Sequence, residues 1–364
     1  MIDINDADIS AVEAELGVTF DAARKQIIKT FNDVQACPGS GKTTMVAAKL
    51  LIIAKKWKQS HQGICVLTHT NVAKGEIIER LQQSIDGQKL LSHPHFIGTI
   101  QEFVNRFLAI PYLRSKGFTV TQVDDEICCT KGWSLLSRGT KNFLRQRHIS
   151  SLQDLQYKFI DDEVKLSVPG FKRPSTSSSY QDLKSAKRTL ETDGYFYYHE
   201  MYAFAKKYIL RNSSIKGALR SRFPAVFIDE MQDTQRFQDE LLNDIFQHET
   251  VSFQRFGDPD QAIYSSGEEG NQTYNQVTLE KVENSHRFNH SIALLAKNLS
   301  YNRINLNSDT AAPEQALHTI FWLMRTHEAT FSRDLQNCVH KQSPKTVKDQ
   351  LKRLVPLVLE RMMD

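Results

Sequence analysis

The chain has 364 residues, 40% of them hydrophobic and 24% charged, with a net charge of +4. At roughly 100–200 residues per domain, this allows two or three domains with real cores. It excludes wholesale disorder and a uniformly basic nucleic-acid coat.

The N-terminal stretch, 1–15, is acidic and lacks both a basic n-region and an apolar h-region, so no secretory signal is expected. The longest apolar run, 45–57, is interrupted by Lys49, Lys55 and Lys56 and is shorter than the ~18 residues a membrane span needs. Cys37, Cys65, Cys128, Cys129 and Cys338 fit neither a zinc spacing nor a disulfide framework. A reducing, cytoplasmic setting without membrane contact is the expectation.

Three strands are predicted early, at 34–37, 64–68 and 96–100, each followed by a helical pattern. The helix at 43–59 is apolar on nearly every face, as a helix buried against a sheet is. Strand, glycine turn, helix, strand is the rhythm of a parallel α/β sheet. The region 101–200 reads as a helical insertion, with a Ser/Pro/Lys loop at 169–180. Between 131 and 220 there are 17 Lys+Arg and 8 Asp+Glu, a local +9, so the remainder carries 4 − 9 = −5. Two more strands are predicted at 225–229 and 252–257, with a helix at 234–246 between them.

The strongest local signal is Ala36-Cys37-Pro38-Gly39-Ser40-Gly41-Lys42-Thr43. It fits the P-loop pattern except that Ala36 takes the first glycine position. Gly39 and Gly41 let backbone N–H groups approach phosphate oxygens, and the next helix offers its unpaired N–H groups. Lys42 would reach the β- and γ-phosphates and Thr43 would hold Mg²⁺. The run Ala225-Val226-Phe227-Ile228-Asp229-Glu230 supplies the acidic partner. Successive strand residues point oppositely, so Asp229 is expected on Mg²⁺ and Glu230 on the attacking water. A third block, Phe256-Gly257-Asp258-Pro259-Asp260-Gln261-Ala262-Ile263-Tyr264, places an amide, Gln261, where it could sense a γ-phosphate.

Together these blocks resemble the superfamily 1 helicases of the UvrD/Rep-like group. The likeness extends to Leu67-Thr68-His69-Thr70-Asn71-Val72-Ala73, Gly98-Thr99-Ile100-Gln101-Glu102-Phe103, Asp229-Glu230-Met231-Gln232-Asp233-Thr234 and Ser285-His286-Arg287-Phe288. It covers roughly 20–300. The resemblance implies a P-loop NTPase with a RecA-like parallel sheet flanked by helices. In domain terms, 1–100 and 201–280 would form the first RecA-like domain (1A), 101–200 an inserted basic subdomain (1B), and 281–364 an incomplete second RecA-like domain (2A). It implies ATP and Mg²⁺ as ligands, and 3′→5′ movement on single-stranded DNA with duplex ahead. ATP would lie on 36–43 and Thr44, with Gln232 facing the cleft and Arg287 on the γ-phosphate. His69, Thr70, Asn71, Thr99 and Tyr264 would meet DNA, and Lys184, Lys187 and Arg188 duplex phosphates.

Several positions depart from the family pattern. Arg24 stands where the family reads adenine with glutamine, Gln26 follows two residues on, and either could read adenine. His286 replaces the tyrosine that stacks on adenine, His69 replaces an aromatic at the DNA, and Ser265-Ser266-Gly267 follow Tyr264 in place of an aromatic-Arg-Gly-Ala run. After Arg287 about 77 residues remain, with a strand predicted at 318–323, an amphipathic helix at 344–363 and neither late helicase motif. The expectation is a truncated or partial helicase that binds ATP and turns it over slowly. A second reading is a nucleotide-gated subunit: the stretches around 34–38 and 68–71 resemble short UvrD-like proteins of Gabija-type anti-phage systems, which pair with a nuclease. A third, a small-molecule P-loop kinase, does not explain the Asp-Glu-x-Gln-Asp and Gly-Asp-x-x-Gln blocks.

Overall fold

The computed structural model describes residues 2–258, 279–288, 290–297 and 306–308. Gln261, Tyr264, Ser265, Ser266 and Gly267, the strand expected at 318–323, the helix expected at 344–363 and most of the expected second RecA-like domain lie outside the described residues.

In chain order the strands are β1 (Val34–Ala36), β2 (Ile64–Thr68), β3 (Phe96–Thr99), β4 (Gln122–Val123), β5 (Tyr157–Ile160), β6 (Glu163–Leu166), β7 (Tyr195–Phe196), β8 (Ala225–Ile228), β9 (Ser252–Gly257), β10 (Glu280–Val282), β11 (Asn284–Ser285) and β12 (Asn307–Ser308). Six of them form one sheet in the order β10-β1-β9-β8-β2-β3. Every pairing in it is parallel. The strands predicted at 34–37, 64–68, 96–100, 225–229 and 252–257 are therefore present within a residue or two, and β10 is an edge strand that the sequence does not signal.

A parallel sheet is covered on both faces, so its strands need apolar residues of both parities. In β2, Cys65 and Leu67 enter one core cluster while Ile64 and Val66 enter the other. In β8, Val226 and Ile228 face the first cluster, and Ala225 and Phe227 the second. The helix Lys42–Lys56 buries residues on nearly all sides because helices Asp6–Leu16 and Ala22–Lys29 lie over it. The opposite face is filled by Phe103, Phe204, Phe223 and Phe246 among others.

The region 101–200 is mainly helical, as expected, with two additions. β5 and β6 make an antiparallel hairpin whose two turn residues, Asp161 and Asp162, have φ of 53° and 59°. Positive φ at both central positions is the turn geometry that matches strand twist. β4 and β7 form a short parallel pair. Leu136, Leu144, Leu152, Leu155, Val168, Tyr180 and Leu183 build a core of their own there. The helices flanking this region, Ile100–Val104 and Tyr198–Arg211, instead pack onto the sheet's core through Phe103, Met201, Phe204 and Ala205.

Under the sheet, Arg255 is buried between Asp33, Asp239 and Asn243, donating from Nε to Asp33 at 2.9 Å and from a terminal nitrogen to Asn243 at 3.0 Å. Burial pushes Asp239 up to about 6, against the pull of Arg255. A carboxyl whose folded pKa exceeds its unfolded value near ~3.9 favours the fold when protonated. Its contribution is thus present below pH 4 and is lost as the pH rises through 6. In Asp239→Asn, urea-unfolding stability should change less between pH 4 and pH 7 than in the wild type; an equal change would remove Asp239 from this role.

Candidate nucleotide and nucleic-acid site

The described residues singled out for chemistry on the sheet emerge at one edge, the carboxyl ends of its strands. The turn 37–41 follows β1, Asp229 follows β8, Asp258 follows β9, His69 follows β2 and Thr99 ends β3. β9 alone separates β1 from β8, so at ~4.8 Å per strand the turn and the acidic pair stand about 10 Å apart. Open α/β sheets bind their ligands outside this edge.

The turn has the shape a phosphate needs. Gly39 and Gly41 have φ of 74° and 83°, which favour glycine. A Cβ on Gly39 would lie 2.4 Å from the Arg287 Cβ and 2.7 Å from the Ser285 Oγ. The segment after β10 therefore closes on the turn: Ser285 Oγ donates to the Pro38 carbonyl at 2.7 Å, and the His286 N–H to the Gly39 carbonyl at 3.0 Å. Ser40 Oγ is buried without a hydrogen-bond partner, an orphan that an anion's oxygen would satisfy. Lys42 is 8% exposed and its Nζ rests on the Ala36 carbonyl at 3.3 Å. Thr43 is half-buried at the start of the helix. Cys37 packs with Ala293 and Leu306, and burial pushes its thiol up to about 11. It fills the space between the turn and those two residues.

Asp229 is buried, and its carboxyl is pushed up to about 7 by burial and by the adjacent Glu230 carboxylate, against the pull of Lys42. The charge of the turn's lysine thus reaches Asp229. Glu230 has φ of 56°, a left-handed conformation that costs a non-glycine residue of order 1–3 kcal/mol and clusters at functional sites. Gln232 donates from Nε2 to the Glu230 carboxylate and accepts at Oε1 from the Asp258 N–H at 2.8 Å. One amide side chain therefore joins the ends of β8 and β9. Among the described residues no group of three or more His, Cys, Asp or Glu could enclose a metal. A Thr hydroxyl and one buried carboxylate facing a phosphate turn are hard oxygen donors suited to Mg²⁺, which takes its remaining ligands from phosphate and water.

Residues that the sequence reading missed also reach this site. Arg80, on helix Asn71–Gln82, donates to the Thr44 Oγ1 at 2.6 Å. Glu76, one turn earlier, raises the Asp229 carboxyl further. Their four-residue spacing after the Thr70 N-cap places both on one helix face. Arg24 and Gln26 prove unlike: Arg24 is buried against the turn, donating from Nε to the Ser40 carbonyl at 3.0 Å, while Gln26 is exposed.

Farther along the edge, His69, Thr70, Asn71 and Thr99 line one cleft of about 560 Å³, shared with Gln101, Asn105, the 120–123 segment and Tyr198. Burial lowers His69, and the Asp233 carboxylate opposes that shift, so the acidic motif reaches the cleft. Thr70 and Thr99 cap the helices behind them, accepting from the Ala73 N–H at 3.2 Å and the Glu102 N–H at 3.1 Å. Each keeps its O–H to donate. Tyr198 is 42% exposed there; it was not anticipated, though the aromatic run Tyr195-Phe196-Tyr197-Tyr198 could have signalled it. A π-helical stretch, Asn105–Ala109, bounds the same cleft, a device frequent at functional sites.

One expectation is overturned. Lys187, expected on duplex phosphates, is wholly buried in an ion pair with Glu200, ringed by Tyr157, Phe196 and Tyr197. It faces the core because it shares a helix side with Leu183 and Leu190, both buried. Arg188 is exposed and Lys184 half-buried; Arg138, Arg145, Lys172 and Arg173, elsewhere in the insertion, are exposed.

A parallel α/β sheet with a glycine turn on a buried helix, facing an acidic strand end, defines a P-loop NTPase domain. The family description UvrD/REP helicase N-terminal domain matches residues 20–280, and the chain belongs to that family. It is 25% identical over 249 residues to a probable DNA helicase II homolog of Mycoplasma capricolum, covering 62% of this chain and 32% of that protein. It is 26% identical over 252 residues to the Gabija protein GajB of Bacillus cereus, covering 66% and 40%. Against a probable DNA helicase II homolog of Rickettsia conorii it is 24% identical over 291 residues, covering 75% and 43%. The chain thus spans less than half the length of these relatives. Among the described residues no helix is long and apolar enough to cross a membrane.

Gly39→Ala should lower stability by about 1–3 kcal/mol, because its φ and the Arg287 Cβ both oppose a side chain. Gly75→Ala, helical with open space around it, should raise stability by about 0.4–1 kcal/mol. Denaturant unfolding of both variants checks the contrast; equal effects would mean that the turn is not held against 285–287.

Proposed function

We propose that this chain is the ATP-hydrolysing, DNA-engaging part of a helicase or translocase, binding ATP with Mg²⁺ and moving 3′→5′ along single-stranded DNA in the cytoplasm. The observation that carries the reading is the shared sheet edge: a phosphate turn and a carboxylate pair at β1 and β8, and a cleft lined by His69, Thr70, Asn71 and Thr99 at β2 and β3. Residues 1–100 and 201–280 form the motor domain in this reading, with 101–200 as the subdomain that meets duplex.

The phosphates lie on 36–43, with Lys42 countering their charge and Thr44 and Arg80 beside the chain. Thr43 and Asp229 hold Mg²⁺, which supplies charge neutralisation of the phosphates when bound. Glu230 takes the proton of the attacking water, and Gln232 orients Glu230 while linking it to Asp258; Gln261 senses the γ-phosphate in this reading. Arg287, exposed beside Gly39, reaches toward the γ-phosphate. In the cleft, Thr70, Asn71 and Thr99 donate to the DNA backbone, and Tyr198 offers a stacking face in place of the aromatic that His69 replaces. Tyr264 would act alongside it.

A second reading, a nucleotide-gated subunit that pairs with a nuclease in phage defence, is favoured by the likeness to the Gabija protein. It predicts tight ATP binding with little DNA-stimulated turnover.

Lys42→Ala should abolish ATP binding and DNA-stimulated hydrolysis, whereas Glu230→Gln should retain binding and lower turnover by about 10²–10⁴-fold. Equilibrium binding and phosphate release measure the two, and hydrolysis that survives Lys42→Ala would end this reading.

Tyr198→Ala should weaken single-strand binding by about 1–3 kcal/mol. Replacing Arg138, Arg145 and Arg173 by Ala should flatten the salt dependence of duplex binding. Lys187→Ala should instead cost about 3–5 kcal/mol of stability by stranding the Glu200 charge. Fluorescence anisotropy against salt, with denaturant unfolding, separates these roles; a salt slope left unchanged by the triple variant would make the basic surface a bystander.

A further inference from the structure

A guanidinium lying on an aromatic ring uses its flat face and keeps its in-plane N–H groups for an oxyanion, which they grip in pairs. Two arginines on one ring, with no carboxylate of their own, have the chemistry of a phosphate clamp.

Phe107, in the π-helical stretch, carries such a pair. The Arg106 Cζ lies 5.5 Å from the centre of its ring and the Arg222 Cζ 5.4 Å from the same centre, so no more than twice that distance separates them. Phe96 and Phe223 make T-shaped contacts with Phe107, at 5.2 and 5.4 Å between ring centres. Each also holds one guanidinium: Phe96 is 5.7 Å from Arg106, and Phe223 is 5.1 Å from Arg222. Among the described residues neither arginine side chain has a hydrogen bond or an ion pair. The Arg222 Nε is buried without a partner, an orphan of the kind that a bound ion or water explains. Glu102, one turn before Arg106, is taken by Lys74 at 2.7 Å and by the Thr99 N–H at 2.8 Å. Arg220 differs from its neighbour Arg222: its Nε donates to the Ile245 carbonyl at 2.6 Å and a terminal nitrogen to the Asp244 carbonyl at 3.1 Å.

The pair stands at the amino ends of the strands, opposite the nucleotide edge. Phe96 opens β3, and Arg222 closes the helix that precedes β8. The Arg222 carbonyl accepts the Gly63 N–H at 2.7 Å, just before β2. Gln62 Nε2 donates to the Ser221 carbonyl at 2.8 Å, which ties the loop before β2 to the same place. That loop carries the exposed Lys58 and His61, and no Asp or Glu lies between Lys55 and Gly75. These residues add positive charge at this end of the sheet. We infer that Arg106 and Arg222 form a phosphate-binding site at the amino end of the sheet, separate from the phosphate turn and independent of the functional reading above. The ligand class is a phosphate group, free or carried on a nucleic-acid strand, held by N–H groups of both guanidinium ions.

The test modifies the full chain with phenylglyoxal, which is selective for arginine, and follows each residue by peptide mass mapping. Inorganic phosphate or a short oligothymidylate is added at an ionic strength matched with chloride. Inorganic phosphate should slow modification of Arg106 and Arg222 by about threefold or more, as occupancy by mass action requires, and should leave the exposed Arg114 unchanged. Arg106→Gln, at an exposed position, should remove the protection of Arg222. Lys42→Ala should keep the protection of both arginines. Protection by the oligonucleotide but not by free phosphate also supports the site and makes a strand the source. Modification at the chloride rate with both probes overturns the inference, as does protection of Arg222 that survives Arg106→Gln. Protection lost in Lys42→Ala would place the anion at the turn, and equal protection by an acidic peptide would make this a carboxylate surface; either result overturns it too.

Discussion

The parallel register of β1, β9 and β8 is the constraint on which everything else rests. Because the three strands run the same way, the glycine turn after β1, the carboxylates after β8 and Asp258 after β9 must all leave the sheet at one edge. Two strand spacings then fix the distance between cation and carboxylates, with no loop needing to find it. Reversing any of these strands would send its terminal residues to the opposite edge, and the mutual influence of Lys42 and Asp229 would vanish. The apolar helix Lys42–Lys56 enforces the arrangement from below, since its burial under two N-terminal helices leaves its first turn no freedom to tilt.

The same edge places the nucleotide end and the cleft in one row, and the connections between them are short. Gln232 bridges Glu230 and Asp258, while Asp233 acts on His69. The left-handed Glu230 sits at the centre of this row. A residue held in a costly conformation by its surroundings is one whose position changes when those surroundings do. On the proposed reading, a phosphate bound at β1 and β8 would have a route to β2 through Gln232, Glu230 and the charge of Asp233 on His69.

Charge placement in the inserted region shows how burial redirects a sequence-level argument. Counting gave +9 over 131–220, and the count is sound, yet it treats every lysine alike. Lys187 is neutralised inside the core by Glu200, which also accepts backbone N–H groups from Tyr157 and Tyr197. This pair fastens the hairpin β5–β6 to helices Ser178–Thr192 and Tyr198–Arg211, so its charge is structural and reaches no phosphate. Only the exposed arginines and lysines are left for an external anion.

Much of the site was legible in the sequence because phosphate chemistry constrains neighbours along the chain. A turn needing positive φ demands Gly39 and Gly41, a buried helix demands an apolar run after Lys42, and a strand buried on both faces ends visibly at Asp229-Glu230. The hairpin at 157–166 was missed because its alternation is short and its Asp161-Asp162 turn lacks the glycine that usually marks such a bend. What the tertiary structure decided were contacts between residues far apart in sequence. Arg24 spends its donors on Ser40 and Asn284, Arg80 reaches Thr44, Tyr198 enters the cleft of His69, and Lys187 turns inward. Local periodicity says that a polar side chain exists on a helix face, but what that face meets depends on which strands lie side by side, and pairing order is a property of the folded chain alone.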